Sequence, residues 1–278
     1  MNILLTLQFD GSAYCGFQVQ QNGRSVCAVV QDALEAVLGI RPPVKGCGRT
    51  DAGVHALGYA LSFLADTEIP MNKLPLALNT RLPADVRVIG ARQVPEGFHA
   101  RYSAHTKTYC YRIRLGAVDS PFDAAFCYRL PGPLDLAAMR AAAKDVCGTH
   151  DFLAFCAAGS EVAARGDTVR TVSRCAVSLQ RDAMGETVCI EVTADGFLYN
   201  MVRILAGTLV RVGQGRIPMG GIPAILASRS RQNAGPTLPA RGLFLKKVEY
   251  PPEALELSEI PGPAGTPDGP EPPRRKPG

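Results

Sequence analysis

The chain has no tryptophan and no long hydrophobic run. None of its apolar stretches reaches the roughly 18 residues that a membrane-spanning helix requires. The segment 1–10 alternates between apolar and polar residues, unlike the uninterrupted apolar core of a signal peptide. The sequence therefore predicts a cytoplasmic protein that does not enter a membrane.

Metal-binding patterns are also missing. The nine cysteines are odd in number and form no CxxC pair, whereas structural zinc sites use paired Cys and His at short spacing. Most of these cysteines lie within apolar stretches, where the side chain packs as a small hydrophobic residue. We expect buried, reduced thiols and no bound metal.

The chain does have enough apolar sequence for a full core, and a modest excess of positive charge. Its 278 residues are 46% hydrophobic and carry a formal net charge of +5, which suits one large or two moderate domains and a polyanionic partner. Cations interleaved with aromatic residues favour phosphate contacts and base stacking, although solvated strand and helix faces give the same pattern. The basic positions are Arg101, Lys107, Arg112 and Arg114 around two tyrosines, and Arg203, Arg211 and Arg216 further along.

The first half of the sequence alternates between strand and helix patterns. Apolar residues recur at every second position over 3–9, which predicts a strand. From Ser25, a suitable N-cap, apolar residues recur at helical spacing until Gly39, which predicts a helix between them. The same reasoning predicts a short extended run at 44–47, strands at 59–64, 86–89 and 106–115, and a short helix at 72–78.

The second half repeats this alternation. Helices are predicted at 136–146, 200–212 and 222–227, and strands at 169–179, 187–193 and 242–250. We therefore predict an α+β fold of two related domains with largely antiparallel sheets, an N-terminal domain at 1–104 and a C-terminal domain at 105–250. Pro, Gly and Glu dominate 251–278, which predicts a disordered tail.

The loop 48–55 concentrates reactive side chains around two glycines, Gly48 and Gly53. It contains Arg49, Asp51 and His55. Asp51 has the chemistry of a nucleophile, a general base or a metal ligand, but few other ligands lie near it in sequence. A structural role, capping a helix or pairing with Arg49, is equally compatible with an aspartate in a Gly-containing loop. His55 suits a packing or capping role better than a catalytic one.

The string Gly48-Arg49-Thr50-Asp51-Ala52-Gly53-Val54-His55-Ala56 resembles the signature of the tRNA pseudouridine synthase A family, which isomerises uridine in RNA. Four further blocks agree with that family in the same order, so that the resemblance spans residues 1 to about 250. These blocks are Phe9-Asp10-Gly11 with Tyr14, Gly16 and Gln18; Phe98-His99-Ala100-Arg101-Tyr102-Ser103-Ala104; Phe197-Leu198-Tyr199-Asn200-Met201-Val202-Arg203; and Gly242-Leu243-Phe244.

The resemblance implies a role for five residues. Asp51 would be the catalytic carboxylate, and Arg203 would pair with it. Tyr109 would stack on the target uracil, and its phenol is a candidate for removing the C5 proton. Arg49 would fill the place of the flipped base or hold a phosphate, and Leu243 would lie under the base.

The family resemblance also implies the setting of the reaction. It implies a central RNA-binding cleft where the two sheets meet, no cofactor or metal, and a homodimer that acts on positions 38, 39 and 40 in the anticodon arm of tRNA. Asp51 could attack C1′, add to C6, or remove the 2′ proton, and the sequence does not choose among these routes. Two alternatives remain: an RNA glycosidase that releases uracil, and an RNA-binding module without turnover.

Overall fold

The computed structural model describes residues 1–21, 23–159 and 161–257. Ten strands lie within these residues: β1 (Asn2–Phe9), β2 (Lys45–Gly46), β3 (His55–Leu64), β4 (Val86–Val94), β5 (Thr106–Leu115), β6 (Tyr128–Leu130), β7 (Gly148–Asp151), β8 (Val169–Asp182), β9 (Gly185–Ala194) and β10 (Leu243–Glu249). The α-helices of the same residues are α1 (Val26–Leu38), α2 (Leu74–Asn79), α3 (Leu136–Asp145), α4 (Glu161–Ala164), α5 (Met201–Gly213), α6 (Gly221–Ser228) and α7 (Pro252–Leu255).

The strands form one sheet in the order β4-β1-β3-β10-β5-β9-β8-β7, with β2 paired to β3 and β6 paired to β5. The pairs β3–β10 and β5–β6 are parallel, and the other pairs are antiparallel. The mixed α+β class and the largely antiparallel sheet are thus confirmed. The sheets of the two halves are continuous with each other, because the C-terminal strand β10 lies between β3 and β5.

Local sequence explains the best-defined elements. The side chain of Ser25 accepts a hydrogen bond from the backbone N–H of Ala28 and so caps the start of α1. Gly39 ends α1 in the left-handed conformation, with a φ of 71°. The predicted helix between these residues is therefore confirmed at both ends, and the predicted strand at 106–115 has the same bounds as β5.

Two hydrophobic clusters lie against the sheet, and each draws mostly on one half of the chain. One combines α1 and α2 with β1, β3 and β4, and includes Leu245 of β10. The other combines α3, α5 and α6 with β5, β8 and β9, and includes Val54 and Leu243. Strand β10 therefore contributes side chains two residues apart to different clusters. The domain boundary predicted at 104/105 stays a prediction.

Some elements differ from their predicted extent. The strand predicted at 59–64 begins earlier, at His55, and the strand predicted at 86–89 extends to Val94. The tail predicted from 251 begins with the helical turn α7, whose Ala254 and Leu255 pack against the N-terminal cluster. This corrects the prediction for 252–255, while the tail beyond 257 lies outside the described residues.

The helices and the cysteines of the described residues also bear on the sequence predictions. Of their helices, none combines the length and the apolar composition that crossing a membrane requires. All nine cysteines are free thiols, and seven of them are buried, as expected from their apolar surroundings.

Candidate active site

The loop that carries Asp51 is held against the segment 11–16 by close backbone packing. A Cβ atom on Gly11 would lie 2.0 Å from the carbonyl oxygen of Val54, and one on Gly16 would lie 2.3 Å from that of Thr50. The backbone N–H of Gly53 donates to the carbonyl of Tyr14 at 3.3 Å. Only glycine fits at 11 and 16, which gives two of the sequence blocks a shared structural purpose.

The other side of the loop is fixed by buried aromatic packing. The hydroxyl of Tyr59 donates to the carbonyl oxygen of Gly48, and its ring stacks on Phe17 at 4.2 Å between centroids. The backbone N–H of Cys47 donates to the carbonyl of Ala60 at 2.8 Å. Burial raises the pKa of the Cys47 thiol to about 11, so this group stays protonated beside the loop at neutral pH.

Asp51 forms an ion pair with Arg203, a residue of the other half of the chain. Arg203 Nη1 lies 3.1 Å from Asp51 Oδ2, across 152 sequence positions. The Asp51 side chain is 32% exposed and that of Arg203 is 17% exposed. The carboxylate is thus open on one side and held by a largely buried cation on the other. The pair implied by the resemblance is present.

The Arg203 guanidinium has two further partners that set its orientation. Its Nε donates to the carbonyl of Leu238 at 2.7 Å, and its Nη1 also donates to Asn200 Oδ1 at 2.6 Å. Asn200 precedes α5 in the left-handed conformation, with a φ of 61°. The sequence did not predict these contacts of Asn200 and Leu238 with Arg203, although Asn200 lies within one of the family blocks.

Tyr109 lies on β5 between the two clusters, and its ring packs edge-on against Phe197 with 5.0 Å between centroids. Burial, together with the negative charge of Asp51, raises the pKa of its phenol above the ordinary value of 10.0. The structure therefore brings Tyr109 within electrostatic range of Asp51. Its phenol is protonated at neutral pH.

Leu243 is buried, whereas Arg49 is exposed to solvent. Leu243 is 6% exposed and pairs with Tyr111 in the β10–β5 ladder, which places it on the same face as Tyr109, one diagonal step away. Arg49 is exposed, and within the described residues no hydrogen bond or ion pair holds its side chain. Leu243 is thus a buried apolar side chain close to Tyr109, and Arg49 is an exposed cation two residues from Asp51 in the sequence.

His55 is buried at the start of β3 rather than exposed in the loop. Its Nδ1 accepts a hydrogen bond from the backbone N–H of Gly11 at 3.0 Å, and its Nε2 lies 3.1 Å from the carbonyl of Ala125. The ring stacks on Phe244 at 4.7 Å. Burial lowers the pKa of His55, against an opposing effect of Asp10. These contacts fit the packing role expected for His55.

The basic positions that the sequence grouped together have different environments. Arg114 is buried and paired with Asp123 at 2.6 Å and Asp182 at 3.1 Å. It is therefore not free to bind phosphate, which corrects its inclusion among the cations that favour phosphate contacts. Arg211 and Arg216 line a cavity of about 460 Å³ with Arg231, at the far end of α5 from Arg203. Within the described residues, no three His, Cys, Asp or Glu side chains converge as a metal site would require.

A family model and individual relatives both assign the chain to the same protein family. The model of the tRNA pseudouridine synthase family matches residues 6–103 and 142–251. The chain is 47% identical over 248 residues to the tRNA pseudouridine synthase A of Moorella thermoacetica, covering 88% of this chain and 98% of that protein. It is 45% identical over 250 residues to that of Citrifermentans bemidjiense, covering 90% and 97%. Asp51, Arg203 and Leu243 lie within the matched segments, and Tyr109 lies between them.

Proposed function

The chain belongs to the tRNA pseudouridine synthase family, a family of isomerases, and from that membership we propose that it converts uridine to pseudouridine at positions 38, 39 and 40 of the anticodon stem-loop of tRNA, with Asp51 as the catalytic carboxylate. The observation that carries this proposal is the ion pair between Asp51 and Arg203 on a loop that close glycine packing holds in place. A rigid loop that aims a partly exposed carboxylate meets the geometric demand of such a site.

The proposed reaction keeps every atom of the substrate. The bond from N1 to C1′ of the uridine breaks, the uracil turns, and a bond from C5 to C1′ forms while the C5 proton moves to the freed ring nitrogen. No electrons are gained or lost, and the chemistry requires no redox cofactor. The protein must therefore supply a reactive carboxylate and hold the detached base.

Asp51 has to be ionised to begin any of the three routes open to it. The Arg203 guanidinium, 3.1 Å away, pairs with this carboxylate and limits its rotation. Because the Nε of Arg203 is held by Leu238 and its Nη1 also by Asn200, the cation keeps its direction when RNA approaches. We propose that Arg203 orients Asp51 towards the sugar or ring of the target uridine.

Tyr109 is suited to hold the uracil while it turns. An aromatic ring packed edge-on against Phe197 leaves a face for base stacking. Because burial raises the pKa of its phenol, Tyr109 does not begin the reaction as a phenolate, which disfavours it as the base that removes the C5 proton. We propose that its part is stacking, with Leu243 forming the apolar wall beside it.

The target uridine is stacked within an RNA arm and must leave the stack to reach Asp51, at a cost of a few kcal/mol. Arg49 is exposed, and no partner among the described residues holds its side chain. We propose that it occupies the vacated position or binds the adjacent phosphate. As the family resemblance implies, we further propose that the enzyme is a homodimer and that RNA lies in a cleft between the two halves of each chain.

Incubation with unmodified tRNA transcripts, followed by chemical mapping of pseudouridine, tests the proposal. We expect product at 38, 39 or 40, with the mass of the RNA unchanged. Abasic sites and free uracil would instead identify a glycosidase.

Replacement of the carboxylate gives a sharper test. We expect Asp51→Ala to abolish pseudouridine formation while the Kd for tRNA stays within about tenfold, or 1.4 kcal/mol, of the wild-type value. The matched control Asp10→Ala removes the carboxylate of the residue that precedes Gly11, which contacts Ser12 and not Arg203, and should keep turnover. Turnover retained by Asp51→Ala would contradict the proposed function.

A further inference from the structure

Tyr102 is a large aromatic residue that the fold leaves in solvent. Its side chain belongs to the connection between β4 and β5 and the residue is 76% exposed. The ring of His99 lies 4.4 Å from it, between centroids, and the guanidinium of Arg101 lies 5.5 Å from its centroid. Burial of apolar area therefore does not account for an aromatic side chain at this position.

The turn that presents Tyr102 is anchored to the core. The backbone N–H of Ala100, which is fully buried, donates to Ser62 Oγ at 3.2 Å, and its carbonyl accepts from the hydroxyl of Tyr250 at 2.7 Å. Ser103 closes the turn through a backbone hydrogen bond to the carbonyl of His99 at 2.9 Å. Tyr102 is thus held on a fixed backbone, which reduces the entropy lost when a partner binds it.

Three cations, Lys45, Arg101 and Lys107, lie near this turn. Lys45 and Arg101 both act on the imidazole of His99, whose pKa is lowered first by burial and then by these two cations. Arg101 also acts on Lys107. We call Lys45, His99, Arg101, Tyr102 and Lys107 the Tyr102 patch. It combines an exposed aromatic face with three cations, the composition that binds a nucleotide through its base and its phosphates.

The Tyr102 patch adjoins the loop of the proposed active site. The Nζ of Lys107 lies 3.8 Å from the position that a Cβ on Gly48 would occupy, and Gly48 precedes Asp51 by three residues, which is at most about 10 Å of chain. Lys45 lies on β2, which leads into the same loop. A single RNA arm can therefore reach both the patch and Asp51.

We propose that Tyr102 is a second base-stacking site, which holds an unpaired nucleobase of the RNA substrate next to the target uridine while Arg101, Lys45 and Lys107 bind the flanking phosphates. This inference rests on the proposed function, because it takes RNA as the substrate. It is distinct from the position of Tyr109, which is half-buried between the two hydrophobic clusters. Unpaired loop bases of RNA are available for stacking on exposed aromatic rings, whereas paired bases are not.

The absence of tryptophan from the chain makes stacking directly measurable. Tyr102→Trp introduces a single fluorophore into the full-length protein. We expect its emission to fall when unmodified tRNA is titrated in, because a stacked base quenches indole fluorescence, and to stay constant with an RNA duplex that has no loop. Phe122→Trp is the matched control, since Phe122 is 82% exposed and lies outside the patch. Its emission should not change with tRNA.

Affinity measurements separate the ring from the hydroxyl. The loss of one base–aromatic stack weakens binding by about 5- to 150-fold, so Tyr102→Ala should raise the Kd for tRNA by about tenfold without lowering the melting temperature. Tyr102→Phe keeps the ring and should bind within about twofold of the wild-type protein, as should Phe122→Ala. Unchanged emission of Tyr102→Trp at saturating tRNA, wild-type affinity of Tyr102→Ala, or an equal loss in Tyr102→Phe would each overturn the proposal.

The two proposals fail in different ways. If the wild-type protein binds tRNA with quenching in Tyr102→Trp but forms no pseudouridine, the proposed function fails and the stacking site stands. If pseudouridine forms and emission is unchanged, only the stacking site fails. If tRNA does not bind, both are overturned.

Discussion

At the scale of the residue, the orientation of Asp51 depends on the shape of the Arg203 side chain as well as on its charge. The planar guanidinium donates to Asp51, Asn200 and the carbonyl of Leu238 at the same time. A lysine carries the same charge on a single flexible ammonium and cannot reproduce this fixed fork. The effect of the positive charge on Asp51 can therefore be measured separately from the effect of the fixed hydrogen-bond geometry.

Arg203→Lys tests this separation. We expect kcat to fall by about 100-fold, the loss that a displacement of about 1 Å at a reacting group can cause, while the Kd for tRNA changes by less than about threefold. Multiple-turnover kinetics on a tRNA transcript measures kcat, and a binding titration measures the Kd. Arg203→Met removes the charge as well and should be slower still. A wild-type rate in Arg203→Lys would show that charge alone is sufficient.

His55 makes the stability of the fold depend on pH. Because burial lowers the pKa of His55 in the folded protein below its ordinary value of 6.5, the unfolded state binds the proton more tightly. The stability that neutral His55 contributes is complete above pH 6.5 and is lost as the pH falls below it. We expect the urea midpoint of the wild-type protein to fall more steeply between pH 7.5 and pH 5 than that of His55→Gln. Parallel curves for the two proteins would contradict this.

At the scale of the element, helix α5 and the segment 235–238 act together to position Arg203. The backbone N–H of Gly235 donates to Thr208 Oγ1 at 2.8 Å, and that of Leu238 donates to the carbonyl of Arg203 at 3.3 Å. Between these contacts, Gly207 lets the segment approach the helix closely. The orientation of a site residue thus depends on packing one helical turn away from it.

Gly207→Ala should disturb both stability and catalysis. The added Cβ would lie 2.0 Å from the carbonyl oxygen of Pro236, so the segment must move and take the carbonyl of Leu238 away from Arg203. We expect the free energy of unfolding to fall by about 1–3 kcal/mol and kcat to fall with it. Urea denaturation and turnover measure the two effects. Gly97→Ala is the control, because a Cβ at Gly97 meets no atom within 4 Å; equal effects in both variants would contradict the explanation.

Helices and strands were predictable from the sequence where residues close together in the chain determine their bounds. Ser25 and Gly39 define α1 through capping contacts within a few residues, and alternation alone gives the bounds of β5. The three-residue strand β6 and the four-residue strand β7 are too short to show a period, and they form because a longer strand lies beside them. Asp51 and Arg203 were predictable by family resemblance, whereas the contacts of Asn200 and Leu238 depend on tertiary packing.

At the scale of the whole molecule, strand β10 joins the two halves. It runs parallel to β3, with Phe244 beside His55, and antiparallel to β5, with Leu243 beside Tyr111. Leu243 belongs to the C-terminal cluster and Leu245 to the N-terminal cluster. Without β10, the N-terminal half would expose part of its core and the edge of β3 at His55 and Ala56, and exposed apolar edge strands favour aggregation.

Fragments of the chain test whether the N-terminal half depends on β10. We expect residues 1–104 expressed alone to be insoluble or to lack a cooperative urea transition, because the strand that covers the His55 end of β3 comes from 243–249. Co-expression with 105–257 should yield a soluble complex, since that fragment supplies β10. Co-expression with 105–242, which ends before β10, should not rescue 1–104. A cooperative, monomeric fold of 1–104 alone would show that the N-terminal half is an independent domain and that β10 only docks on it.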